Sequence, residues 1–185
     1  MNEAVNEDRV AYLDSVLIGG REPISIRIVE YAPDWPAHFD RLADRVRQAL
    51  GERALSVQHI RSTSVPGLAA KPIIDMLLIV ADLAPEEQYV PALETSGFIL
   101  RVREPGHRMF RTPQRDAHLH VYAAGGSETS DYLDLRDWLR TNEPDRLLYA
   151  ERKRELARQT WTDMNYYADA KTAIIAQILR RARAG

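Results

Sequence analysis

One stretch constrains the fold of this chain more than any other. Residues Ile73–Val80, IIDMLLIV, form a near-continuous apolar run with a single charge, Asp75, inside it. Such a run reads as a β-strand. A carboxylate within it needs a partner, because acids are rarely buried unpaired. Asp75 therefore either pairs with an arginine or faces a pocket that uses its charge.

The residues before that strand favour a pocket. The segment Gln58–Val80, QHIRSTSVPGLAAKPIIDMLLIV, runs through a strand end, a Ser-Thr-Ser loop, a Pro-Gly turn and Lys71 before it reaches Asp75. Small hydroxyl residues and free backbone N–H groups at such a junction can hold phosphate oxygens. A carboxylate on the following strand can then bind Mg²⁺ beside those phosphates. The alternative is that Ser62–Ser64 cap a helix and Asp75 meets an arginine. His118 and His120 lie two residues apart in a strand, so both side chains share a face. Such a pair can bind metal, bind phosphate or move a proton, or it can simply bond to its neighbours on the sheet. His59, beside Ile60 on an apolar strand, reads as a buried, hydrogen-bonded histidine.

Periodicity gives the rest of the architecture. Residues 1–23 read as an N-terminal arm with a short amphipathic helix, Asp8–Leu17, and residues 24–185 as one domain. Strands are expected at Ile24–Val29, Leu55–Ile60, Ile73–Val80, Phe98–Arg103, Arg108–Thr112 and Ala117–Tyr122. Helices are expected at Trp35–Leu50, where Asp34 and Pro36 mark the start, and at Leu83–Ser96. Glu104-Pro105-Gly106 is a turn. Beyond residue 124 the pattern is helical, with helices at Asp131–Arg140, Pro144–Gln159 and Ala168–Arg183. The class is α/β (α+β), a sheet core over 24–124 with a helical tail over 125–185. Met76, Met109 and Met164 read as core fillers, and the ERKRELARQ run, residues 151–159, as solvated surface.

Composition narrows the function classes. The chain has 185 residues, 45% hydrophobic and 28% charged, with a formal charge of −2. That is enough apolar material for one substantial core, and the charge gives no sign of a dedicated nucleic-acid surface. No apolar run approaches the ~20 residues of a membrane span. MNEAVNEDRV is acidic and polar, unlike a secretory or organelle leader, so a cytoplasmic protein is expected. There is no cysteine, hence no disulfide, thiolate site or cysteine nucleophile. Of 25 basic residues only three are lysines: Lys71, Lys153 and Lys171. Either codon usage favours arginine, or these three stand where a compact ammonium is needed.

HIRSTSVPGLAAKPIIDMLLIV resembles the HIGSTSVPGL-x-AKPIIDI signature of the GrpB family, bacterial proteins of uncharacterised activity. VEYAPDWPAHF at Val29–Phe39, GHRMFRT at Gly106–Thr112, HLHVY at His118–Tyr122 and LDLRDWLRTNEPDRLLYAERKRELA at Leu133–Ala157 resemble further family motifs. The resemblance implies a nucleotidyltransferase-like mixed β-sheet with flanking helices and a C-terminal helical bundle. It implies a pocket for a nucleotide or another phosphorylated small molecule, around Arg61, Ser62, Thr63, Ser64, Lys71, Arg108 and Lys153. Asp75, His118 and His120 would be its catalytic groups, with Asp75 and His120 as metal ligands and Mg²⁺ as the cofactor. Fusion of family members to dephospho-coenzyme A kinase points to nucleotide or coenzyme A metabolism. Two departures bear on the reaction. Arg61 stands where the signature has glycine, and Leu77 stands where the superfamily's second metal carboxylate would fall. A nucleotidyltransferase with Mg²⁺, a silent binding module, and a metal enzyme using the His118–His120 pair are therefore all open.

Overall fold

In the computed structural model of the chain, residues 7–22, 25–126 and 128–184 are described. The apolar run forms strand β2 (Ile74–Val80), and the sheet is built around it. Strands β1 (Ser56–Ile60), β3 (Ile99–Glu104), β4 (His107–Arg111) and β5 (Ala117–Ala123) complete a five-stranded sheet of order β1-β2-β5-β4-β3. β2 pairs antiparallel with β1 and parallel with β5, whereas β4 runs antiparallel to β5 and to β3. The parallel β2–β5 pair puts Asp75 opposite His118 and Leu77 opposite His120.

Alternation along each strand divides the sheet into two faces. Ile74, Met76, Leu78, Leu119, Val121 and Phe110 point to one side. There they pack on helix α2 (Trp35–Leu50), through Trp35, Leu42, Val46 and Leu50, and on short helix α3 (Val90–Thr95), through Leu93. This is the main core. The opposite face carries Asp75, Leu77, His118, His120 and Tyr122. Helices α4 (Glu128–Thr141), α5 (Glu143–Ala157) and α7 (Thr172–Ala182) form a second cluster with Val65 and Leu68 of the serine loop, built on Leu135, Leu139, Tyr149, Ala150, Ile178 and Leu179. The arrangement is the mixed sheet with flanking helices and a C-terminal helical bundle that the resemblance implied. Among the described residues no helix is long and apolar enough to cross a membrane.

Several elements differ from the sequence expectation. Residues 25–28 form no strand, and residue 24 lies outside the described residues; only Val29 makes a bridge, exchanging 2.9 Å hydrogen bonds with Ala70. Alternation alone makes no strand where no ladder partner is in reach. The helix expected over 83–96 shrinks to Val90–Thr95, preceded by a single 3₁₀ turn at Glu86–Gln88. Pro91 is tolerated in the first turn but forbids a preceding one. The last helix is two, α6 (Met164–Asp169) and α7, broken at Ala170–Lys171. The N-terminal helix α1 (Glu7–Val16) packs closely on the body of the fold. Leu13 and Val16 are buried, Leu17 bridges to Val102, and Ile18 N–H donates to the Arg101 carbonyl at 2.9 Å. The arm thus covers part of the edge strand β3.

Leu78 is fully buried between the sheet and α2. Leu78→Ala should destabilise the protein by ~2–5 kcal/mol through lost transfer energy and a residual cavity. Urea unfolding monitored by circular dichroism measures it, and a loss below ~1 kcal/mol would show that this layer does not carry the core.

Candidate functional site

Asp75 is the only charged residue on β2, and the face it occupies decides its partners. Its register neighbour His118 and the next residue on that face, His120, both reach it. His118 Nδ1 and His120 Nε2 each lie 3.4 Å from Asp75 Oδ1, and one donor atom from each residue falls within 4.8 Å of the others. The two strands therefore unite three sequence-expected residues. Burial alone would raise the Asp75 pKa. The Arg61 guanidinium, with the hydrogen bonds from His118 and His120, holds it well below the usual carboxylate range. Burial and the charge of Arg61 push His120 down to about 3, so its ring is neutral at physiological pH.

Arg61 is the surprise of the loop. It adopts φ +59° and ψ −160°, a region almost confined to glycine, where any other residue is strained by about 1–3 kcal/mol. The backbone thus keeps the geometry that a glycine would give. Its side chain turns back over the sheet, with Nη1 3.3 Å from Asp75 Oδ1 and the guanidinium carbon 5.3 Å from the ring centre of Tyr132. Asp75 does pair with an arginine, while the cavity beside it stays open.

That cavity, about 330 Å³, lies between the Asp75 face of the sheet, the serine loop, the C-terminal helices and α1. All three lysines of the chain line it. Lys153 is 2% exposed; its Nζ donates to Ser62 Oγ at 2.8 Å and to the Ala69 carbonyl at 2.6 Å, and lies 4.7 Å from the Tyr149 ring. Burial, reinforced by Lys171 and Arg154, holds its pKa well below the ordinary lysine value. Lys171 sits 4.5 Å from the Tyr167 ring, and burial aided by Arg61 lowers it to about 8. Lys71 is also lowered by burial, against the pull of Asp75. In all, five basic side chains, Arg9 and Arg61 among them, face two carboxylates, Asp75 and Glu104, around one space.

A chain of polar contacts continues from the sheet to the arm. His107 Nε2 is 3.0 Å from His120 Nδ1, and His107 Nδ1 is 2.6 Å from Glu104, which also accepts from the Tyr12 hydroxyl of α1. Tyr12, Leu13 and Leu17 of the arm line the cavity, as do Tyr122 and Tyr132. His107, Glu104, Tyr132 and Tyr12 were not expected from the sequence as site residues. His107 does fall in the GHRMFRT motif, which was the available sequence signal; the pairing of Met109 with His120 is what places its strand beside the site.

Two expected contacts lie elsewhere. Arg108 points to the opposite face, where its Nε is 2.5 Å from Glu86 and its Nη1 bonds the Glu104 and His107 carbonyls. Alternation puts it out of phase with His107 and Met109. Ser64 is 4% exposed, donates to the Arg61 carbonyl at 2.5 Å and does not line the cavity. Thr63 lines it but spends its hydroxyl on the Ile73 carbonyl and on His59 Nε2, both at 3.0 Å. His59 itself stacks on Phe39 at 4.7 Å, a buried residue with a bracing role. Ser62 is thus the loop hydroxyl facing the cavity. Met109 and Met164 line the cavity, and only Met76 of the three methionines is a core filler. Lys153 and Leu156 are the buried exceptions in an otherwise surface run.

The donor set fits two Mg²⁺ ions poorly. Mg²⁺ takes oxygen ligands, whereas this cluster offers two imidazoles and one carboxylate that already faces Arg61. The second acid is absent too: Leu77, 1% exposed, packs with Ile60 and Tyr122. One divalent ion that accepts nitrogen is the chemistry the three residues match.

The GrpB protein family model matches residues 25–181. A UPF0157 protein of Halalkalibacterium halodurans is 51% identical over 177 residues, covering 93% of this chain and 91% of the relative. A dephospho-CoA kinase of Mycolicibacterium paratuberculosis is 27% identical over 186 residues, covering 85% of this chain but 46% of the kinase. Among solved structures, the conserved protein GrpB from Enterococcus faecalis superposes with a TM-score of 0.73 at 33% identity, over 84% of this chain and 96% of that one. The GLD-2/RNP-8 complex shares the fold at 13% identity and a TM-score of 0.54, over 82% and 60% of the two chains.

The buried imidazole under the loop gives a pH signature. Burial, joined by Arg140 and Arg136 and opposed by Asp75, lowers His59 to about 4. Its unfolded pKa is ~6.5, so the unfolded state binds the proton first. The stability that neutral His59 contributes is complete above pH ~6.5 and is lost as pH falls towards 4, by ~1.4 kcal/mol per unit. Urea unfolding at pH 5 and 6 should show a slope that His59→Gln reduces by about one proton. An unchanged slope would refute the assignment.

Proposed function

The chain belongs to the GrpB family, and on that premise we propose that its cavity binds the phosphate groups of a nucleotide or another phosphorylated small molecule. The observation that carries this reading is the convergence of Ser62, Lys71, Lys153 and Lys171 on one space with excess positive charge. Lysines with lowered pKa values are costly to leave charged without an anion, and a phosphate repays that cost directly. Tyr12, Tyr122 and Tyr132 offer aromatic surface for a base or another flat group. The kinase relative, whose name refers to dephospho-CoA, supports a ligand from nucleotide or coenzyme A chemistry.

Binding without nucleotidyl transfer is the reading we favour. Two-metal transfer needs paired carboxylates; here Leu77 fills the second position and Arg61 supplies a fixed cation at the first. Arg61 orients and neutralises Asp75, Lys153 holds Ser62 in place, and the three lysines attract the phosphate. A second reading, one divalent ion held by Asp75, His118 and His120, is favoured by their spacing within 4.8 Å and requires Arg61 to move aside. Tight Mn²⁺ or Zn²⁺ binding that disappears in His118→Ala would establish it.

Calorimetric titration with ATP, GTP and coenzyme A tests the first reading. At least one should bind, and Lys153→Met should weaken it by ~10-fold or more, the scale of one charge-assisted contact. Arg108→Ala, on the opposite face, should leave affinity unchanged. Failure of the wild type to bind all three would remove the proposal.

Proton linkage gives an independent check. An anion raises the pKa of Lys171 from about 8, so binding at pH 8 should take up protons. The sign is read by repeating the titration in buffers of different ionisation enthalpy. Proton release would contradict the lysine assignment.

A further inference from the structure

A second cavity of about 390 Å³ adjoins the first and shares Lys71, Ile73, Met109 and His118 with it. Its outer wall is basic. Arg101, Arg111 and Arg115 come together there around one carboxylate, Glu22, supplied by the arm. Arg111 grips Glu22 with two nitrogens, each 2.9 Å from a separate oxygen. Arg115 lies 3.1 Å from Glu22 and Arg101 3.8 Å. This two-pronged geometry is the one guanidinium uses for phosphate as well as carboxylate.

The charge is not balanced. Lys71 and three arginines line this space against Glu22 and Asp163. Asp163 is committed locally, accepting from the Asn165 backbone and side chain at the start of α6. Four cations against two carboxylates leave a surplus of two positive charges, enough to hold a dianion, and Glu22 is the carboxylate that the three arginines share. Arg101 is anchored independently, since its guanidinium also donates to the Gly20 carbonyl, and the Ile18 N–H is bonded to the Arg101 carbonyl. The arm would thus stay attached to β3 if the Glu22 side chain left.

We propose that Arg101, Arg111 and Arg115 form a second phosphate site, in which Glu22 is a resident anion that an incoming phosphoryl group displaces. The site goes beyond the nucleotide pocket and rests on that reading only in one respect: a ligand spanning the shared wall would place a second phosphate here. Exchange of Glu22 for that phosphate would also free one tie between the arm and the pocket that the arm roofs.

The test uses the full chain and inorganic phosphate as the probe. Glu22→Gln keeps the shape and removes the competing charge. Calorimetry should show phosphate binding to E22Q at least ~10-fold tighter than to wild type, and adding Arg111→Ala should abolish the gain. Acetate should gain less than phosphate. The proposal is overturned if E22Q, with a wild-type melting temperature, binds phosphate no better than wild type. It is equally overturned if R111A leaves the gain intact or if acetate gains more. Failure of ATP, GTP and coenzyme A to bind wild type, with the E22Q gain present, would remove the nucleotide reading and leave this site standing.

Discussion

The contact between Arg61 and Asp75 sets the character of the site. A carboxylate on a strand buried in the sheet needs compensation, and here the fold provides it internally. The cost is a residue other than glycine at φ +59°. The return is a guanidinium placed 3.3 Å from Asp75, braced by the Tyr132 ring and backed by two imidazoles. With this cation in place, no metal ion is required to keep Asp75 ionised. Leu77, where the resemblance would put a second carboxylate, is part of a small apolar cluster.

Around that node the chain separates bracing charge from cavity-facing charge. Arginines do most of the bracing. Arg140 and Arg136 bond to backbone carbonyls of Ser64 and His59, and Arg108 and Arg103 pair with Glu86 on the far face. The three lysines gather at the cavity. A guanidinium, planar and always charged, suits fixed bonds. An ammonium with a pKa lowered by burial suits a site that changes its protonation when an anion arrives. The rarity of lysine, ambiguous in composition, gains a spatial explanation.

Much of this was legible in the sequence, and the remainder was hidden for physical reasons. β2 follows from its apolar run, β4 and β5 from their strand patterning, and the shared face of His118 and His120 from a spacing of two. Whether Asp75 reached them depended on the parallel β2–β5 pairing, which no local pattern encodes. The Ile24–Val29 alternation misled because strand propensity without a ladder partner is not a strand. Lys153 was named from the sequence, but its burial was not legible there, because burial in a charged helix depends on what packs against each face. His107, a lone histidine after a turn, gave little local signal. The arm's role depends on contacts more than 80 residues apart in sequence, such as Glu22 with Arg111 and Tyr12 with Glu104.

Arg61 thus serves as the resident cation of Asp75. Calorimetric titration of ATP into the wild-type protein and Arg61→Gly, each in excess MgCl₂ and in EDTA, tests it most directly. Wild-type affinity should be the same in both conditions, and R61G, with the carboxylate exposed, should bind more tightly with Mg²⁺ than without. Loss of wild-type binding in EDTA would contradict it, because a metal ion would then be supplying the charge assigned to Arg61.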